Sequence, residues 1–248
     1  MWIFVIVQDL DEYRRDGAGG GLVKARLEEA SGEPCLVVPF QRFSPRLVEE
    51  LKPRAVAMSG FGGHFESREP SAWTGMHAYL KSTELPTICF CGSHQLLGFS
   101  EDGSLDRGER LHDQPMRPLA PEEDLPRNAQ LLGCGYDLSG YYVADGFFPI
   151  RRLVEDPLFE GLPPTMHLCC SHYCEVKTLP AGFVALASSG HCAIEAMRHR
   201  TRPIYSTQFH PEAFKSPFLD GQRLLRNFAV IVERFWAARR VSAKAGEG

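Results

Sequence analysis

Short apolar runs recur through the first ninety residues, at 2–7, 35–40, 54–59 and 86–90, and they constrain the fold more than any other feature of the chain. Each is too short to be an amphipathic helix and reads as a strand. Each is apolar almost throughout rather than alternating, so both faces of the strand must be covered. The segments between them read as helices. Leu22, Val23, Leu27 and Ala30 recur at helical spacing and Gly32 is a stop. Ser44-Pro45 opens a second helix through Leu51, with Ser as N-cap and Pro in the first turn. A third helix is expected over 71–81. Continuous strands separated by helices give a parallel sheet with helices on both faces. Reactive groups in such folds gather at the carboxyl ends of the strands. Ser59-Gly60 and Phe90-Cys91 both lie at such ends.

The rhythm breaks over about 101–140, which is rich in charge and carries Pro115, Pro118, Pro121 and Pro126. A stretch of that kind is either a functional loop or a tolerated insertion. Strands resume at 183–187, 193–197 and 204–208, a terminal helix is expected over 219–238, and 242–248 reads as a frayed tail. The chain is therefore expected to form one domain over 1–240, with an irregular insertion at about 101–140 and a tail at 241–248.

The formal net charge of −4, with scattered basic residues, argues against a nucleic-acid or anionic-membrane partner. No apolar run approaches the about 20 residues that span a bilayer, and the start lacks the basic region of a secretory signal. A cytoplasmic setting with reduced thiols is the expectation for the eight cysteines.

Two segments carry chemistry. In 86–98, a buried strand ends at Cys91, followed by Gly92-Ser93 and a helix-like His94-Gln95-Leu96-Leu97. This is a strand-to-helix turn of the nucleophile-elbow kind, which needs small neighbours because the nucleophile's backbone is strained. The helix N-terminus favours a thiolate and offers N–H groups to an oxyanion. In 204–212, an apolar strand delivers His210, and Glu212 follows across Pro211. A nucleophilic Cys needs a base, and the base needs an orienting carboxylate. Cys89 is assigned to the core by strand alternation; Cys35 and Cys192 are read as structural thiols.

Cys91-Gly-Ser-His-Gln-Leu-Leu together with Gln208-Phe-His-Pro-Glu212 resembles the class I glutamine amidotransferases. Ala57-Met-Ser-Gly60, the segment 156–163 and the segment 171–176 also fall where that family has similar stretches. The resemblance implies a three-layer α/β/α sandwich around an open, mostly parallel sheet of flavodoxin-like type. It implies hydrolysis of the glutamine side-chain amide through a γ-glutamyl thioester, with ammonia passed to an acceptor and no cofactor. By position, Cys91 is the nucleophile, His210 the general base and later acid, and Glu212 the orienter. Gly92 and the loop after Gly60, including Phe61, would supply oxyanion donors; Gln95, His172 and Tyr173 would help hold the substrate. The chain departs from the family at Ser93, at Cys89 and at Phe61, the last standing where glycine is usual.

L-Glutamine or a related γ-glutamyl compound is thus the expected small-molecule partner, and the expected protein partner is a synthetase subunit. The alternative enzyme is a stand-alone γ-glutamyl hydrolase on the same triad. A non-catalytic binding module on the same fold is the alternative of another class. The tract Cys169-Cys170-Ser-His172-Tyr-Cys174 looks metal-like, but structural zinc usually draws spaced ligands from two segments, so no metal is expected. His64 is read either as lining the cleft or as an exposed loop residue. Gly17-Ala-Gly-Gly-Gly21 lacks the ending of a phosphate loop and is read as a flexible turn.

Overall fold

The structure is a computed structural model that describes residues 1–8, 10–16, 20–123 and 140–245. Fifteen principal elements follow in order: β1 (Trp2–Ile6), α1 (Leu10–Asp16), α2 (Gly21–Ser31), β2 (Cys35–Pro39), α3 (Pro45–Leu51), β3 (Ala55–Met58), α4 (Thr74–Ser82), β4 (Thr87–Phe90), α5 (Gly92–Glu101), β5 (Ala144–Arg152), β6 (Thr165–His172), β7 (Phe183–Ser188), β8 (Ala196–His199), β9 (Ile204–Thr207) and α6 (Asp220–Ala245). The strands form one sheet in the order β2-β1-β3-β4-β9-β8-β7-β5-β6. From β2 to β9 each neighbour is parallel; from β9 to β6 each is antiparallel. Only β8 and β5 therefore oppose the common direction, and seven of the nine strands point the same way.

Strand alternation explains the three layers. Trp2, Phe4, Ala57, Ile88 and Phe90 face one core with Leu27 of α2 and Leu224, Leu225, Phe228 and Val232 of α6. Ile3, Val5, Val56, Met58 and Cys89 face the other, with Val48 of α3, Met76, Tyr79 and Leu80 of α4, and Leu96 and Leu97 of α5. Both faces of β1, β3 and β4 are sealed, as their unbroken apolar runs require. Each fully buried Leu, Ile or Phe contributes about 1.5–3 kcal/mol of transfer free energy. Cys89 belongs to the second core, and burial pushes its thiol pKa well up.

Local signals act as expected. Ser44 Oγ accepts a hydrogen bond from Leu47 N at 3.2 Å, capping α3. Gly32 closes α2 in the left-handed region at φ 70°.

Other elements differ from expectation. The helix expected over 71–81 begins as a 3₁₀ turn at Pro70–Trp73 before α4. The strand expected at 193–197 starts later, at Ala196, so 189–195 is a loop. The terminal helix runs to Ala245, into the stretch that reads as tail, where Ala and Lys are strong helix formers. β5, β6 and α1 have no counterpart among the expected elements. Gly17 and residues 124–139 of the irregular stretch lie outside the described residues. Among those described, no helix is long and apolar enough to cross a membrane.

Candidate active site

Three strand ends and one turn meet above the parallel half of the sheet. β4 delivers Cys91, which stands as the N-cap of α5 at φ 46°, ψ −108°. It is one of two described non-glycine residues at positive φ. That backbone belongs to glycine by preference, so the thiol is presented by a strained elbow. Its N–H donates to Thr207 O of β9 at 2.7 Å, and its carbonyl accepts from Gln95 N at 3.1 Å. Strand and helix thus hold the strained residue from both sides.

β9 leads to His210, whose N–H donates to Cys169 O of β6 at 2.7 Å. The 3₁₀ turn Pro211–Ala213 follows and folds Glu212 back under the ring. His210 Nδ1 and Glu212 Oε1 are 2.7 Å apart. The ring also comes up beside the sulfur: one point over Gly60 is 3.1 Å from His210 Cε1 and 3.5 Å from Cys91 Sγ. Burial alone would lower the imidazole pKa, but the Glu212 carboxylate and the Cys91 sulfur outweigh it and raise it well above its ordinary value. The neighbouring Glu212 carboxylate thus favours the charged form of the ring. From the other end of the chain, Arg26 of α2 donates to the Glu212 carbonyl, and at 2.8 Å to the Phe214 carbonyl. Its guanidinium also lies 4.0 Å from the Phe214 ring.

Glycine is required at position 60. A Cβ there would stand 2.9 Å from Cys91 Cβ and 3.1 Å from His210 Cε1. Gly60→Ala must therefore displace the sulfur, the ring or both. We expect a loss of roughly 10²-fold in kcat, the scale for misplacing reacting groups by about 1 Å, with an unchanged circular dichroism spectrum. A variant of wild-type rate would mean the two groups approach each other from another side.

Gly92 opens α5, so its N–H is one of the helix's free donors next to the sulfur. Phe61 lies against it: a Cβ on Gly92 would meet Phe61 Cδ1 at 2.5 Å. The Phe61 ring is itself packed edge-on to Phe65 at 4.9 Å and against Trp73 at 5.3 Å between centroids. The loop that follows is tied down by Ser93 Oγ, which donates to Ser59 O at 2.5 Å, so Ser93 in the elbow serves as a strut.

A narrow cleft of about 40 Å³ reaches Cys91 between Phe61, Gly92, Asp113, His172 and Tyr173. A larger hollow of about 440 Å³ between α5 and residues 175–181 shares only Gln95 with it and carries none of the reactive groups.

The expected substrate-side residues divide. Tyr173 OH donates to Asp113 Oδ2 and stands 3.1 Å from His64 Nδ1, while Asp113 Oδ1 accepts from Phe65 N at 2.9 Å. His64 thus joins a network with Asp113 and Tyr173, two residues that line the cleft, without lining it itself. His172 borders the same cleft, but its Nδ1 is engaged with Cys174 O at 3.0 Å. Gln95 is engaged too: its Nε2 donates to Cys174 O at 2.9 Å and Gln208 Oε1 at 3.1 Å. Gln208 Nε2 in turn points at Cys91 Sγ at 3.7 Å.

Gln208, Asp113 and Arg26 are site residues that the sequence expectations omit. Gln208 stands in the motif, two residues before His210. Asp113 sits in the irregular stretch, and Arg26 on the outer face of a helix, where nothing local marks them.

The profile described as "Glutamine amidotransferase class-I" matches residues 24–232. The chain is 34% identical over 156 residues to a glutamine-hydrolyzing GMP synthase subunit of Archaeoglobus fulgidus, covering 63% of this chain and 67% of that protein. It is 49% identical over 145 residues to the protein of the same name from Pyrococcus abyssi, covering 58% and 59%. The chain thus spans roughly three-fifths to two-thirds of these curated relatives. A crystal structure of a putative GMP synthase subunit from Thermoplasma acidophilum superposes with a TM-score of 0.67 at 21% identity, covering 97% of this chain and 98% of that one, a likeness of fold. The profile match takes in 209 of the 248 residues, and both chemical segments fall inside it, so the chain belongs to the class I glutamine amidotransferase family.

Proposed function

We propose that this chain hydrolyses the side-chain amide of glutamine to glutamate and ammonia, and hands the ammonia to an acceptor on a partner subunit. The observation that carries the reading is the line from Cys91 sulfur through His210 to Glu212, set on a strained turn at a helix N-terminus. In this mechanism the Cys91 thiolate attacks the amide carbon. Negative charge moves to the carbonyl oxygen, toward Gly92 N–H and the loop after Gly60. The tetrahedral intermediate collapses as the His210 imidazolium gives its proton to the leaving nitrogen, and ammonia departs. The γ-glutamyl thioester remains on Cys91. Water then attacks it, His210 taking the proton, and the thiolate leaves with glutamate released. Glu212 holds the tautomer and stabilises the cation throughout.

The partner follows from the relatives, which are named as subunits of a glutamine-hydrolyzing synthase. Two assays test the reading. Ammonia release should be faster from glutamine than from any member of a panel of γ-glutamyl peptides and substituted amides. A glutamine-analogue electrophile should label Cys91, located by peptide mass spectrometry. Faster turnover of γ-glutamyl peptides would install the hydrolase in its place, and no labelling at Cys91 with no turnover would leave a binding module.

A further inference from the structure

Four side chains that take no step in the proposed hydrolysis converge on one point, and one of them, His172, also borders the cleft. Cys170 and His172 are alternate residues of β6 and share a face of the strand. His191 and Glu195 come from the loop that leads into β8. One ligand-type atom from each lies within 4.8 Å of every other. Cys170 and Glu195 are 0% exposed and His172 is 3% exposed.

These atoms lack ordinary partners. His172 Nε2, His191 Nε2 and both Glu195 oxygens make no hydrogen bond. His191 Nε2 and Glu195 Oε1 stand 3.3 Å apart as a loose ion pair. A buried unpaired polar atom costs about 1–3 kcal/mol, and more when charged. A buried carboxylate paired only loosely with His191, at 3.3 Å, beside a second imidazole nitrogen with no partner, is a set of lone pairs suited to one shared acceptor. His172 has its Nδ1 on the Cys174 carbonyl at 3.0 Å, which makes Nδ1 the protonated nitrogen and leaves Nε2 its lone pair. Metal-bound histidines are held in that way.

We propose that Cys170, His172, His191 and Glu195 bind a divalent transition-metal ion, and that by ligand chemistry the ion is zinc. A thiolate, two imidazoles and a carboxylate are all zinc ligands and complete a tetrahedron. Sulfur and nitrogen donors disfavour calcium and magnesium. Bonds of about 2.0–2.3 Å place neighbouring ligand atoms about 3.3–3.8 Å apart, so the widest pair must close by about 1 Å. The tract at 169–174 alone lacks a second segment; the loop at 189–195 supplies it.

With four protein ligands the ion has no open position, so its role is structural. It ties the end of β6 to the loop before β8. Both border the candidate active site: Ser171 O lies 3.8 Å from Cys91 Sγ, and Glu195 O accepts from Gln208 N at 2.8 Å. The site stands independently of the proposed reaction.

The test uses the full chain carrying Cys91→Ser, so that the reactive thiol cannot contribute. The protein is stripped with chelator and titrated anaerobically with Co²⁺. One equivalent should bind, giving the strong visible bands of tetrahedral cobalt and a near-ultraviolet thiolate-to-cobalt band, both removed by one equivalent of Zn²⁺. Cys170→Ser should abolish the thiolate band, and Glu195→Gln should weaken affinity at least tenfold. Should either variant fail to fold, His191→Gln at the cluster's edge reports the same loss of affinity, and the Cys91→Ser spectrum decides by itself. Weak six-coordinate cobalt without a thiolate band, or affinity equal across the folded variants, overturns the proposal and leaves a plain His191–Glu195 ion pair.

Discussion

Cys91→Ala is expected to abolish glutamine hydrolysis, with a fall of at least about 10⁴-fold in kcat, the scale of losing a covalent nucleophile, while the protein stays folded. Cys91 is buried at 6% exposure and its Cβ packs beside Gly60. Alanine keeps that carbon and removes only the sulfur. A stricter form of the prediction uses the backbone. At φ 46°, ψ −108°, any residue with a Cβ is strained, by about 1–3 kcal/mol. Alanine inherits the strain and glycine relieves it. Cys91→Gly should therefore be as inactive as Cys91→Ala yet more stable, by about 1 kcal/mol, read as a higher denaturation midpoint. Hydrolysis surviving in the alanine variant would remove Cys91 from the chemistry. A glycine variant no more stable than the alanine one would deny that the elbow holds strain.

Glu212→Gln is expected to lower kcat by about 10²–10⁴-fold with little change in KM, the cost of losing a triad carboxylate. Glutamine is near-isosteric, and Arg26 still grips the carbonyl of residue 212 and that of Phe214, so the turn stays in place. What is lost is the negative charge beside the ring.

That loss has a pH signature with a definite sign. Burial lowers the His210 pKa, and Glu212 is the largest of the influences that raise it. Acyl transfer needs the imidazolium, so the rate falls as pH rises through the folded pKa of His210. Without the carboxylate that pKa drops, and the alkaline limb of kcat/KM must move to lower pH. A limb that stays put would place the orienting charge elsewhere; a near-normal rate would remove Glu212 from the triad.

Much of this was legible in the chain, and the physical reason is plain. Strands buried on both faces must be apolar throughout, so β1 to β4 and β9 stand out. The elbow and the His-Pro-Glu turn need particular residues at fixed offsets, so Cys91, His210 and Glu212 stand out in the chain as candidates. β5 carries Gly146 and Pro149 inside a strand, and both argue against one locally; continuous pairing with β6 overrides them, and β7 pairs only at Arg151 and Arg152, so the missing N–H of Pro149 is tolerated. β6 does alternate, with Met166, Leu168, Cys170 and His172 buried in turn, but histidine and cysteine disguise the pattern. Gln208, Asp113 and Arg26 act across long sequence separations. Their roles exist only once the sheet is assembled, as does the meeting of Cys170 and His172 with His191 and Glu195.

Phe61 stands wedged between Phe65 and Trp73 with its edge on Gly92. A ring held on two sides cannot swing out to admit a visitor and close again behind it. Discrimination at this doorway is then a matter of girth: turnover should decline with each heavy atom added to the departing nitrogen, and shaving Phe61 to leucine should let in the larger amides that the native chain turns away.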